Sequence, residues 1–200
     1  LRGYEGRATA CYFEGFARGL LVPWVAFERR VRRPPTDPVN ALLSFGYGLL
    51  FNVVFGAVNA AGLDPYLGFL HAVDYGRPSL VLDLMEEWRP VIVDSLVLSV
   101  LNLRAIDSRD FQTVTLEESM REGLAEAGPE REEEGSAGHE GAPLRLTQAG
   151  LRKFITQFER RMAQKVHHPV AGRQLSWREC IREQVQQFAR YVRGQVAGYR

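Results

Sequence analysis

From Val39 to Leu63 the chain carries no charged side chain. A segment of that length is able to span a bilayer, and otherwise it must form the interior of a globular fold. Asn40, Ser44, Asn52 and Asn59 lie within it, together with Gly46, Gly48, Gly56 and Gly62. Polar side chains facing lipid are costly, so the segment is read as a buried central helix and not as a membrane span. Its limits are marked in the sequence. Thr36-Asp37-Pro38 supplies an N-cap acid and a first-turn proline, and Gly62 supplies a left-handed cap after about Ala61.

Most of the remaining sequence also has helical spacing. Tyr12, Phe13, Phe16, Leu20 and Trp24 mark a first helix from Tyr4 to about Phe27, with Pro23 kinking or ending it. Asp64-Pro65 repeats the start signal for a short turn of helix up to His71, and residues 74–78 are loop. Ser79 is placed to cap a helix running to about Leu103, bent near Pro90. Residues 107–116 are ambiguous. Thr147 caps a further helix to about Lys165. Ser176-Trp177-Arg178-Glu179 is a capping box that opens the last helix, to about Arg193. The expected fold class is all-α, a multi-helix bundle around one long buried helix, with residues 1–200 forming a single domain.

Charge is unevenly distributed along the chain. The net charge is +1, yet residues 121–143 hold seven Glu and two Arg. That stretch also has hardly any large apolar side chain, so it is expected to be a disordered acidic insert. Of the 25 basic residues, 23 are Arg. The planar guanidinium suits phosphate oxygens, which makes a nucleic-acid partner reasonable, although Arg-biased codon usage gives the same count. Cys11 and Cys180 have no metal spacing and are too few for a disulfide framework. No signal peptide opens the chain. A reducing, cytoplasmic setting is therefore expected. The chain begins at Leu1 inside a helical pattern, as a piece of a longer polypeptide would.

The candidate chemistry lies in Gly62–His71 and Ser79–Pro90. His71 follows the apolar residues Leu67, Phe69 and Leu70, and Asp83 and Glu86 follow it by twelve and fifteen residues. Three apart on a helix, the two acids share a face, and Leu80, Leu82, Leu84, Met85 and Trp88 surround them. Acids so placed repel each other unless a cation or an arginine lies between them. A structural pair satisfied by Arg89 or Arg77 is one reading. A site for a hard divalent ion is the other, since imidazole with carboxylates suits Mn²⁺, and carboxylates with waters suit Mg²⁺. Glu5 alone reads as a first-turn acid facing a helix dipole. His139, His167 and His168 read as loop histidines, with phosphate contact the alternative for His167-His168-Pro169. Arg152, Lys153, Arg160, Arg178 and Arg182 recur along the last two helices among Glu159, Glu179 and Glu183. They form either a solvated face or one that tracks phosphates.

Three motifs in order resemble a known family. They are Asp37-Pro38-Val39-Asn40-Ala41-Leu42-Leu43-Ser44-Phe45-Gly46-Tyr47, then Ala61-Gly62-Leu63-Asp64-Pro65 leading to Gly68-Phe69-Leu70-His71, then Asp83-Leu84-Met85-Glu86. They are similar to the catalytic helical domain of the CRISPR-associated adaptation integrase, the "Cas-one" spacer-integration protein. The likeness runs from about Tyr4 to Asn102 and resumes at Leu146. It implies the C-terminal helical domain of a two-domain protein whose N-terminal β-rich domain is absent from this chain. It also implies a metal, Mg²⁺ or Mn²⁺, held by Glu5, His71 and Glu86, with Asp83 a nearby acid supporting the site. The implied reaction is metal-dependent DNA strand transfer. A 3′-hydroxyl of a short invader-derived duplex attacks a phosphodiester at the edge of the CRISPR repeat. The implied partners are double-stranded DNA (prespacer and repeat), a second copy of the protein in a homodimer, and a small ferredoxin-like adaptation protein. Whether His71 is a ligand, a proton carrier or both stays open. The competing readings are a non-catalytic helical module that binds nucleic acid and a helical protein-interaction module.

Overall fold

The computed structural model describes residues 2–31, 34–71, 74–115 and 142–199, with side chains from residue 6 onward. The acidic stretch 121–143, apart from Ala142 and Pro143, and His139 within it lie outside the described residues. The chain is helical, with only two small antiparallel ribbons among the described residues, so the all-α reading holds. Its described residues divide into two compact units. One comprises 2–46, 94–115 and 142–157, and the other 47–93 and 158–199.

In the first unit, helix α1 (Arg2–Arg18) stops well short of Phe27. Gly19 follows it, and Asn102 takes over the departing backbone: its Nδ2 donates to the Gly19 carbonyl, and its Oδ1 accepts from the Leu21 amide, both at 2.8 Å. The break thus precedes Pro23. The apolar spacing persists to Phe27 because that ring packs against Phe13 and Phe16, at 5.9 and 5.5 Å, from a loop.

Helix α2 (Pro38–Ala60) matches expectation at both ends. Asp37 Oδ1 accepts from the Asn40 amide at 2.9 Å, and Gly62 adopts φ +69°. Val39, Leu42, Leu43, Leu50, Val54 and Val58 are fully buried. Asn40 is equally buried, and its amide is fully used. Its Nδ2 donates to Asp37 Oδ2 and the Arg29 carbonyl, while its Oδ1 accepts from the Val31 amide and the Arg30 guanidinium. A buried polar side chain costs little when every valence is met. The unit continues with helix α4 (Ser95–Asn102), a 3₁₀ turn (Ser108–Asp110), and a ribbon of β1 (Phe111–Thr113) and β2 (Leu144–Leu146). The ambiguous stretch 107–116 is therefore a turn and a short strand up to Thr115. Thr147 Oγ1 accepts from the Gly150 amide at 3.1 Å and caps helix α5 (Gln148–Ala163), as its sequence predicts.

In the second unit the long helix expected from Ser79 to Leu103 is divided. Helix α3 (Ser79–Met85) ends early, and a π-helical segment (Arg89–Asp94) follows before α4 begins. Pro90 lacks an amide proton, and its ring opposes the carbonyl four residues back. The chain meets both constraints by widening into a π turn. Ser79 makes no capping bond: it is the first helical residue, and its hydroxyl faces the Arg77 carbonyl at 3.4 Å. A ribbon of β3 (Lys165–His168) and β4 (Arg173–Ser176) follows α5, and the Ser176–Glu179 capping box opens helix α6 (Trp177–Val192) as expected.

Candidate active site

The segment Asp64–His71 does not form the short helix expected for it. Asp64 Oδ1 accepts from the Tyr66 amide at 2.9 Å in a single turn, after which the backbone opens out. The cause is Asp83. Its Oδ2 accepts from the Phe69 and Leu70 amides at 2.5 and 2.9 Å, and its Oδ1 accepts from the His71 amide at 2.9 Å. In a helix opening at Asp64 the amides of residues 69–71 would bond carbonyls four residues back, so they could not turn together to one carboxylate.

The same Oδ1 lies 2.5 Å from His71 Nδ1. The Asp83 side chain has no exposed surface, and that of His71 retains 17%. A buried carboxylate must be met by donors, and here the loop supplies them. Because an ionised carboxylate only accepts, the contact assigns the proton to Nδ1. Nε2 is then the atom through which the ring acts on other groups. Metal-ligating histidines characteristically have this arrangement, in which a carboxylate fixes the tautomer and orientation of the imidazole.

Gly68 makes the approach possible. A Cβ at this position would lie 2.5 Å from Ser79 Cβ, 2.8 Å from the Ser79 carbonyl carbon and 2.9 Å from Asp83 Oδ2. The Leu80 amide donates to the Pro65 carbonyl at 3.0 Å, tying the base of the loop to the start of α3.

Glu86 is arranged differently. It lies just past the end of α3 and is exposed, and its Oε1 is 3.2 Å from Arg89 Nη1. The Arg89 guanidinium sits over the Tyr47 ring, 5.1 Å from its centroid. The two acids expected to share a face therefore have separate partners, loop amides for Asp83 and an arginine for Glu86. Beside it, Glu87 accepts from Gln184 Nε2 at 3.0 Å and from the Tyr199 hydroxyl at 3.4 Å. Burial raises the Glu87 carboxyl above its ordinary range against these bonds, and burial likewise pushes the Tyr199 hydroxyl up to about 12.

Glu5 lies in α1, in the first unit, and its side chain falls outside the described residues. The structure thus brings His71 and Asp83 together. Among the described residues, no group of three or more His, Cys, Asp and Glu side chains is arranged to hold a metal ion.

The basic residues fall into two sets. Lys153 Nζ bonds Asp110 Oδ2 at 2.7 Å, and Arg178 forks onto both oxygens of Glu159 at 2.9 and 2.8 Å. Arg152, Arg160 and Arg182 are exposed. Sequence reasoning did not identify the role of Gly68 or the inward turn of Asp83. A signal for the second existed, since Leu80, Val81, Leu82, Leu84 and Met85 surround an acid that must find donors.

Comparison with known proteins places the chain in a family. The family model described as "CRISPR associated protein Cas1" matches residues 1–128. A protein named CRISPR-associated endonuclease Cas1 3, from Thermus thermophilus, is 41% identical over 199 residues, covering all of this chain and 52% of that protein. The chain therefore spans about half the length of this curated relative. A solved casposase bound to integration product superposes with TM-score 0.78 at 27% identity, over 98% of this chain and 48% of that one. A Cas1 protein from Thermotoga maritima superposes with TM-score 0.76 at 27% identity, over 96% of this chain and 52% of that one. With more than half of its length matched by the family model, and with a 41% identical relative covering all of it, the chain belongs to the CRISPR-associated Cas1 family.

Proposed function

We propose that this chain forms the catalytic helical part of a CRISPR adaptation integrase that joins a DNA 3′-hydroxyl to a target phosphodiester. The observation that carries the reading is the Asp83–His71 pair, a buried carboxylate holding an imidazole in one tautomer while part of the ring stays exposed. The names of the Thermus endonuclease and of the casposase support the same chemistry.

The reaction exchanges one phosphodiester for another. The attacking 3′-oxygen loses its proton and bonds to phosphorus, the target P–O3′ bond breaks, and the released 3′-oxygen gains a proton, so no nucleotide cofactor is needed. Imidazole and carboxylate donors of the kind this reading assigns to His71, Glu86 and Glu5 suit a hard divalent ion, Mg²⁺ or Mn²⁺. His71 would bind through Nε2 because Nδ1 is committed to Asp83, Glu86 offers an exposed carboxylate, and Glu5 would be the third ligand. Such an ion supplies Lewis-acid polarisation of the phosphoryl oxygen and steadies the leaving 3′-oxygen. Asp83 positions: it fixes the ring and the three amides of the loop, so His71 meets substrate in one orientation. The partners expected with this function are the prespacer duplex, the repeat DNA, a second copy of the protein and a small ferredoxin-like adaptation protein.

The test is strand joining by the full-length protein, using a labelled duplex with a free 3′-hydroxyl, a repeat-containing target and Mg²⁺ or Mn²⁺. His71→Ala, Asp83→Asn and Glu86→Ala are each expected to lower joining by about 10²-fold or more, with duplex affinity held within about twofold. Wild-type joining by His71→Ala would sink the reading. Equal loss of joining and of DNA affinity would favour a module that only binds.

A further inference from the structure

The β3–β4 hairpin plays no part in the chemistry above, yet it is fastened at both ends. Its register pairs Lys165 with Ser176, Val166 with Leu175, His167 with Gln174 and His168 with Arg173. Strand alternation puts Lys165, His167 and Gln174 on one face, and all three are exposed. On the other face Leu175 and His168 are buried, and Arg173 emerges at the tip.

Both ends of the hairpin are fastened. At the base, the Trp177 amide donates to the Gln164 carbonyl at 3.2 Å. At the tip, the Gly172 amide donates to the His168 carbonyl at 2.9 Å, with Gly172 at φ +63°. The buried His168 ring accepts the Ala171 amide through Nδ1 at 3.1 Å. A loop already fixed in this way loses little freedom when it binds.

Its charge has one sign. From Lys165 to Ser176 there are two cations and no acid. Neither Lys165 nor Arg173 ion-pairs with a carboxylate among the described residues. Glu179, the acid that feels both charges, has its carboxylate bonded to the Ser176 amide and hydroxyl. By contrast, Arg178 and Arg190 face Glu159 and Glu183. Exposed cations with no carboxylate ion-paired to them on a pre-set ribbon suit an anion with repeated charge.

We propose that this hairpin is a preformed contact to the sugar-phosphate backbone of duplex DNA, with Lys165 and His167 donating to phosphate oxygens from its exposed face and Arg173 from its tip. The inference rests on the DNA reading above. The contact assigned here is to phosphate oxygens and not to base edges, so it positions DNA without selecting its sequence.

The experiment measures duplex binding by the full-length protein across a salt series, for wild type, Lys165→Ala/Arg173→Ala and Lys165→Arg/Arg173→Lys. Each lost phosphate contact removes about 0.9 from the slope of log affinity against log salt. The alanine double variant should therefore lose about 1.8 of slope and bind roughly tenfold or more weakly at low salt, equally on unrelated sequences. The charge-conserving variant should retain the wild-type slope. An unchanged slope in the alanine variant overturns the hairpin contact even if wild type binds and joins DNA. Loss confined to one sequence, or to single-stranded RNA, overturns the backbone assignment. Failure of wild type to bind duplex DNA at all defeats the underlying function instead. Thermal melting of each variant at the wild-type temperature shows that a change in slope is not unfolding.

Discussion

Gly68 shows how little latitude the candidate site leaves a single residue. The atoms nearest an added methyl include the backbone of Ser79 and the carboxylate of Asp83, which is already bonded to three amides and a ring. Neither has the freedom of a side-chain tip to move aside. Gly68→Ala is therefore expected to cost about 1–3 kcal/mol, measured by urea unfolding, and to lower strand joining as the His71 loop shifts. A variant as stable and as active as wild type would mean that the loop has slack. At this scale the sequence was partly legible. His71, Asp83 and Glu86 could be selected as a group because acids within an apolar helix demand an explanation. The division of labour between the acids could not, because it depends on which way three amides of a distant loop point.

At the scale of elements, local chemistry decided what could be read. Asp37, Gly62, Thr147 and the Ser176–Glu179 box act within four residues of themselves, and each lies where its residue type predicts. Elements fixed by remote partners were missed: α1 ends where Asn102 claims its backbone, and two ribbons form, one in the ambiguous stretch 107–116 and one where loop histidines were expected. The capping box also gives a test. Glu179 is held below its ordinary value of 4.5 by bonds from the Ser176 amide and hydroxyl. A lowered folded value means a stabilising contribution that is present above pH 4.5 and is lost as the pH falls below it. Ser176→Ala should cost about 1 kcal/mol at neutral pH, and the difference from wild type in urea unfolding should shrink under acid. A gap that stays constant from neutral pH down to acid would show that the carboxylate does not respond to this serine.

For the molecule as a whole, the uneven charge has a measurable consequence. Residues 121–143 hold seven Glu and two Arg in a chain of net charge +1, so replacing them with a short uncharged linker raises the net charge to +6. Polyanion binding follows net charge and its distribution, so the shortened protein should elute from heparin at higher salt. Elution at the wild-type position would mean that the acidic stretch does not compete with polyanions. The loop grip has another consequence. Asp83 holds Phe69 and Leu70 by their main-chain amides, while the Leu70 side chain is 72% exposed. The anchor is thus blind to the identity of that residue, whereas Gly68, His71 and Asp83 are each bound by the geometry of the loop. Position 70 is accordingly where the surface can be rewritten without disturbing the histidine next to it.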